Sequence, residues 1–264
     1  MITRFAPSPT GPLHLGHAFS ALTAWDLAQA VGGTFLLRIE DIDRSRARPE
    51  WEAQIYHDLH WLGLDWPTPV MRQSERQPAY DAALDRLWDD GLLFPCTCRR
   101  RDILEAASAP QEGAPMGPDG VIYPGTCRDR DRSGPRPRDT ALRLDMNFAV
   151  QCVDDPTLNG IPDTIGDVVL ARRDMGTSYH LSVVVDDAAQ GVTDVVRGED
   201  LEEATPIHRL LQRLLDLPTP IYHHHRLIRD EAAKRLAKRD DVRALSLYRA
   251  QGATSEDIRA MVGL

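Results

Sequence analysis

The chain has 264 residues, 42% hydrophobic and 27% charged, with four cysteines and a net charge of −9. That composition fits a globular protein with one large core or two small ones, and excludes both a disulfide scaffold and a basic protein that coats nucleic acid. No apolar run approaches the ~20 residues that cross a bilayer, and Arg4 and three prolines interrupt any leader core, so a cytoplasmic protein with no membrane partner is expected.

Ile2 to Ala6 reads as a short strand, and Pro7, Pro9, Gly11 and Pro12 impose a stiff turn behind it. From Leu13 the apolar residues Leu15, Phe19, Leu22, Ala24 and Trp25 recur at helical spacing as far as Val31, where Gly32-Gly33 stop the pattern. A strand, a tight turn and a helix N-terminus make a place for phosphate, because the first turn of a helix presents unpaired N–H groups. His14 and His17 project from that turn, and Gly16 leaves the backbone open to a flat ligand. Spacing alone also allows a metal half-site or two surface histidines.

Thr34 to Ile39 is expected as a buried strand. Glu40, at its end, is placed to accept from a substrate ammonium or to pair with Arg38 or Arg44. Amphipathic helices are expected over 48–64 and 74–92. From Pro95 to Arg138 the chain turns rich in Gly, Pro, Arg and Asp and loses apolar periodicity, which indicates an inserted loop-rich module, with strands at 141–144 and 148–153. Cys96, Cys98 and Cys127 flank it, and three close cysteines in a reducing compartment suggest zinc. No histidine lies between His60 and His180, which leaves Tyr123 or Asp129 as fourth ligand; Cys152 is expected as a buried thiol. Buried strands follow at 167–173, 180–187 and 194–198, then a helix over 201–215. Strands alternating with helices indicate a parallel sheet with its ligand at the carboxyl ends of the strands. No G-x-G-x-x-G follows a strand and no Walker-type loop is present, which argues against dinucleotide and P-loop sites. His223-His-His225 reads as an exposed or substrate-edge run, and cations cluster at Arg99-Arg100-Arg101 and along 226–249.

His14-Leu-Gly-His17 resembles the "HIGH" signature of class I aminoacyl-tRNA synthetases, and Arg4-Phe-Ala-Pro-Ser-Pro-Thr-Gly11 resembles the glutamyl and glutaminyl branch in particular. Arg38-Ile-Glu-Asp-Ile-Asp43 is similar to that branch's R-x-E-D-T-D run, with Ile42 for Thr. Arg235-Leu-Ala-Lys-Arg239 is similar to its KMSKS loop, with Arg235 for Lys and Ala237 for Ser. The resemblance implies an α/β protein: a Rossmann-like parallel-sheet catalytic domain split by an inserted zinc-containing α+β module. The boundaries are 1–94, 95–165 for the module, and 166–264.

It implies ATP, with Mg²⁺, held by Pro7, Gly11, His14, Gly16, His17, Arg235 and Lys238. His14, His17 and Lys238 would be catalytic, Lys238 stabilising charge that builds on the phosphates in the transition state. L-glutamate would be held by Arg4, Phe5, Ala6, Pro7, Ser8, Glu40, Tyr179 and Arg197. An arginine suits a side-chain carboxylate and would penalise glutamine; a structural ion pair of Arg197 with Glu199 or Asp200 is the alternative. The inserted module of this branch carries a Cys-x-Cys…Tyr-x-x-x-Cys zinc site, which selects Cys96, Cys98, Tyr123 and Cys127 and a structural metal. The sequence stops soon after the KMSKS-like loop, where complete glutamyl-tRNA synthetases carry a helical anticodon-binding region. It thus resembles the stand-alone glutamyl-queuosine tRNA(Asp) synthetases. These imply formation of glutamyl-adenylate and transfer of glutamate to queuosine in the tRNA(Asp) anticodon, with no obligate protein partner. The alternatives are a truncated synthetase charging a tRNA 3′ end, a small-molecule nucleotidyltransferase and a non-catalytic RNA-binding relative.

Overall fold

The computed structural model describes residues 1–107, 114–228 and 244–264. In chain order the elements are β1 (Ile2–Phe5), α1 (Leu15–Gln29), β2 (Thr34–Ile39), α2 (Pro49–Trp61), β3 (Met71–Arg72), α3 (Gln77–Asp89), β4 (Leu93–Cys96) and α4 (Arg100–Ala107). Then come β5 (Met116–Gly117), β6 (Gly120–Val121), β7 (Ala141–Leu144), α5 (Met146–Gln151), α6 (Ile161–Thr164), β8 (Val169–Ala171) and α7 (Tyr179–Ala189). The last are β9 (Asp194–Gly198), α8 (Thr205–Leu214), β10 (Ile221–His225), α9 (Leu245–Ala250) and α10 (Ser255–Val262). None of the helices among the described residues is long and apolar enough to cross a membrane.

The chain divides into two compact units, one of 1–75, 190–202 and 220–264, the other of 76–189 and 203–219. In the first unit β1, β2 and β3 pair in parallel in that order, and β9 pairs in parallel with β10. Strand β9 runs beside β1, where Thr193 N donates to Ile2 O at 3.0 Å and Arg4 donates to Val196 O at 3.2 Å. Helix α1 presents Ala18, Ala21, Ala24 and Ala28 with Phe19 and Leu22 to the core, and its small residues permit close packing. It ends at Gln29 with Ala30 as its cap, and Gly32-Gly33 carry the turn that follows into β2. Gly32 takes a φ of +63°, and a side chain at Gly33 would stand 2.4 Å from the carbonyl oxygen of Met1.

In the second unit β4, β7 and β8 form an antiparallel sheet and β5–β6 a short hairpin. Two expected strands are helices here. Residues 180–187 lie in α7, whose His180, Leu181, Ser182, Val183, Val184, Asp186 and Asp187 are all buried. A helix covered almost all round has the same continuous apolar run as a buried strand, and Val183-Val-Val185 deepens the ambiguity. Its interior acid is satisfied, since Tyr80 and Arg76 donate to Asp186 at 2.7 and 3.1 Å. Residues 148–153 lie mostly in α5, started by Asp145, whose side chain accepts from Phe148 N at 3.3 Å. Cys152 caps that helix and is exposed, not buried.

Candidate active site and metal centre

His14 is the N-cap of α1, in extended conformation, and its Nδ1 accepts from Gly16 N at 3.1 Å. His14 N in turn donates to His17 Nδ1 at 3.2 Å, and the two rings lie 3.8 Å apart between centroids. This is a capping box built from two imidazoles. A side chain at Gly16 would stand 3.1 Å from His14 Cε1, so the glycine makes room for the imidazole that caps the helix. Around Gly11 a side chain would meet nothing within 4 Å, which leaves the turn open on that side. The turn is tied to the next strand by Glu40 N donating to Pro7 O at 3.0 Å.

The chain beyond the KMSKS-like segment returns to this turn. Ala244 forms an isolated β-bridge with His14, and Leu245 N donates to Leu13 O at 2.8 Å. Before the segment, Ile228 packs on the core of the same unit. Arg235 and Lys238 themselves lie outside the described residues. Helix α9 is held by Arg249, which pairs with the fully buried side chain of Asp58 on α2. Burial pushes the Asp58 carboxyl above its ordinary range despite that cation.

Of the residues expected around glutamate, Arg4, Phe5, Ala6, Pro7, Ser8, Glu40 and Arg197 fall in the first unit, and adjacency of β1 and β9 brings Arg4 beside the strand that carries Arg197. Both arginines are 6% exposed. Glu40 pairs with the wholly buried Arg38 at 3.2 Å, and Arg38 also donates to Gln190 at 3.0 Å. Arg197 stacks over Tyr222 at 4.9 Å and donates to Leu201 O at 3.0 Å and to His224 Nε2 at 3.4 Å. Burial first, then the Arg197 charge, holds His224 below its ordinary pKa and so neutral, as an acceptor must be. The run His223-His-His225 is thus strand β10 with each ring engaged, His223 with Asp194 at 2.8 Å and His225 with Ser20 at 2.8 Å. Tyr179 lies in the second unit as the first residue of α7, its ring 5.6 Å from that of His180 and 5.7 Å from that of His208.

The second unit also gathers the thiols of Cys96, Cys98 and Cys127 within 4.8 Å of one another. Cys98 Sγ lies 3.5 Å from Cys127 Sγ, and the Tyr123 hydroxyl lies 3.5 Å from both Cys96 Sγ and Cys98 Sγ. A tetrahedron with metal–sulfur bonds of ~2.3 Å and metal–oxygen bonds of ~2.0 Å has S···O edges of about 3.5 Å and S···S edges of about 3.8 Å. The donor set therefore fits a tetrahedral zinc. Burial pushes the Cys98 thiol up to about 11, whereas hydrogen bonds from Tyr123 and the Thr97 backbone outweigh burial at Cys127 and hold it at about 7. Arg143, which spacing did not reveal, donates to Cys96 Sγ at 3.4 Å and lies over the Tyr123 ring at 3.9 Å. With a metal bound and the donors ionised, a cation there would offset the excess negative charge of three thiolates and a phenolate.

The model of the family "tRNA synthetases class I (E and Q), catalytic domain" matches residues 1–264. The glutamyl-Q tRNA(Asp) synthetase of Rhodobacter capsulatus is 65% identical with 100% of both chains covered. That of Nocardia farcinica is 45% identical over 98% of this chain and 82% of its own. Among solved structures, a glutamate tRNA ligase from Elizabethkingia meningosepticum in complex with its amino acid superposes with a TM-score of 0.68 at 28% identity. That match covers 91% of this chain and 52% of that one, so this chain spans about half its length. Methionyl-tRNA synthetase of Mycobacterium tuberculosis, at 9% identity and TM-score 0.61, shares the fold over 99% of this chain and 63% of its own. The chain therefore belongs to the class I tRNA synthetases of the glutamyl and glutaminyl branch, and is a ligase.

Proposed function

We propose that this ligase activates L-glutamate with ATP and passes the glutamyl group to queuosine in the anticodon of tRNA(Asp). The carrying observation is 65% identity over the full length of a relative named for that reaction. In the first step a carboxylate oxygen of glutamate attacks the α-phosphorus. The new C–O–P linkage forms as the bond to pyrophosphate breaks. In the second step a hydroxyl of the queuosine cyclopentene ring attacks the acyl carbon. AMP departs and takes up the proton.

Neither step needs a protein nucleophile, since positioning and charge stabilisation suffice. His14 and His17, locked by their mutual cap, present the first turn of α1 to the phosphates of ATP, which arrives with Mg²⁺. The His14–Ala244 bridge supports this reading, because it brings the described chain just after the KMSKS-like segment back to the same turn. Arg4 and Arg197 offer the glutamate side chain a guanidinium, and Glu40 offers its ammonium a carboxylate. Cys96, Cys98, Tyr123 and Cys127 would hold a structural zinc that pins loops too poor in apolar residues to build a core.

Glutamate-dependent exchange of labelled pyrophosphate into ATP, without RNA, tests the activation step. Exchange with glutamate and none with glutamine is expected. No exchange with any amino acid would instead identify a non-catalytic RNA-binding relative.

A further inference from the structure

Asp58 is wholly buried on α2, an acidic group that no step of the proposed reaction uses. Its ion-pair partner is Arg249 on α9. The same guanidinium lies 5.6 Å over the ring of Trp61, three positions on from Asp58 and so on the same face of α2. At the other end of α9, Leu245 N donates to Leu13 O at 2.8 Å and Ala244 bridges to His14. One short helix therefore links a buried carboxylate to the backbone of the His14 turn. We propose that the Asp58–Arg249 pair is a positioning device for catalysis: it sets where α9 lies on α2, and thereby how Ala244 and Leu245 hold His14 toward ATP. The inference rests on the reading that this turn receives the phosphates of ATP.

The cost of the pair carries the argument. The Asp58 side chain is fully buried, and its Oδ2 has no hydrogen-bond partner among the described residues. Burial outweighs the hydrogen bond and charge of Arg249 and raises its pKa. Taking an ion pair out of water costs more than it returns unless the remaining hydrogen bonds are complete, and well-packed apolar residues of similar volume are commonly as stable or more so. Stability alone thus gives no reason for a carboxylate here. What a charged pair adds is direction. Apolar contacts of Leu245, Tyr248, Ile258 and Val262 hold the C-terminal helices to the core, but such contacts are non-directional and set no register.

Helix α10 has its own ties: Arg259 donates to both carboxylate oxygens of Asp26 on α1 at 2.8 Å, and Ser255 donates to Leu62 O at 2.8 Å. Those contacts place the chain after α9. The pair acts on α9 itself, from the last turn of that helix. At six residues α9 is about 9 Å long, so a shift of its last turn reaches its first turn with little loss. That first turn is the one bonded to Leu13 and His14.

The test compares the wild type with Asp58→Asn, Arg249→Lys and the double replacement of Asp58→Leu with Arg249→Met. It reads the denaturant midpoint, the kinetics of glutamate-dependent pyrophosphate exchange and the hydrogen-exchange rate of the Leu245 amide. The double replacement is expected to unfold no earlier than the wild type, yet to show a kcat about 10-fold lower, as a misplacement of several tenths of an ångström predicts, with an unchanged KM for glutamate. Its Leu245 amide should exchange about 10-fold faster, because the bond to Leu13 opens more often. Asp58→Asn, which keeps the shape, should lose kcat likewise. Arg249→Lys, which keeps the charge, should retain more kcat than the double replacement. Full kcat at full stability in the double replacement overturns the proposal, since the pair would then serve stability only. So does full kcat in Asp58→Asn, which decides the matter if the double replacement does not fold. A wild type that exchanges no pyrophosphate refutes the proposed function instead. The Leu245 amide then decides the pair: protection equal to the wild type in Asp58→Asn and in the double replacement overturns it.

Discussion

Gly16→Ala separates the helix-capping role of the His14 turn from its proposed role toward phosphate. The added methyl would stand 3.1 Å from Cε1 and 3.2 Å from Nδ1 of His14. Ordinary carbon contacts lie at ~3.5–4.0 Å, so the imidazole must retreat by roughly 0.4 Å or more. The retreat strains the 3.1 Å bond from Gly16 N and, through it, the stack with His17 at 3.8 Å. Losing a cap costs about 0.5–2 kcal/mol, and exchanging glycine for alanine within a helix returns up to about 1 kcal/mol. Stability should therefore change by less than about 1 kcal/mol. Catalysis is more sensitive: a misplacement of ~1 Å can cost ~100-fold, so several tenths of an ångström predicts about 10-fold, or ~1.4 kcal/mol at the transition state. The assay is pyrophosphate exchange at saturating ATP and glutamate, with thermal unfolding alongside. The expected result is a reduced kcat, a nearly unchanged KM for glutamate and a nearly unchanged melting temperature. Full exchange activity in the variant would refute the placement of His14 at the phosphates.

Four further outcomes are expected. Elemental analysis of the wild type should show one zinc per chain, which Cys98→Ser should lose while lowering the melting temperature by about 5–10 °C, at ~2–4 °C per kcal/mol for a chain of this size; a metal-free wild type contradicts the zinc reading. Arg249→Ala strands the buried Asp58 carboxyl and should cost about 2–4 kcal/mol in denaturant unfolding, the lower end reflecting a group that burial already inclines to take up a proton. Burial raises the Asp194 pKa, but hydrogen bonds from His223 and Thr193 bring it below its ordinary value of 3.8. Its stabilising contribution is thus present above the unfolded value and lost as pH falls through the folded one, so His223→Ala should flatten the acid limb of the stability curve. Lys238→Ala should reduce the rate of adenylate formation far more than glutamate affinity; equal losses in both contradict a transition-state role.

Strands β1 and β2 and helix α1 were legible because each has one period and clear punctuation: prolines before the helix and Gly32-Gly33 after it. Helix α7 was not, because burial on nearly every side removes the polar face that marks a helix. The thiol cluster was legible as spacing, but the choice of Tyr123 over Asp129 came only with the family resemblance, since a phenol has no local pattern that marks it as a ligand. The ion pair of Glu40 with Arg38 was open in sequence and is present in the structure. Nor did any pattern show that Gly16 yields space to His14 or that Arg143 covers the thiol cluster. Such features arise from contacts between distant parts of the chain, which no single window of sequence contains.

The central claim is that glutamate, once activated, goes to queuosine and not to a 3′ end. Labelled glutamate and ATP should be incubated with the protein and with tRNA from cells able or unable to make queuosine. The account predicts label on tRNA(Asp) from the first pool alone, released by nuclease digestion with the anticodon fragment and not with the 3′-terminal nucleotide. Equal labelling of both pools, at the 3′ end, would contradict it.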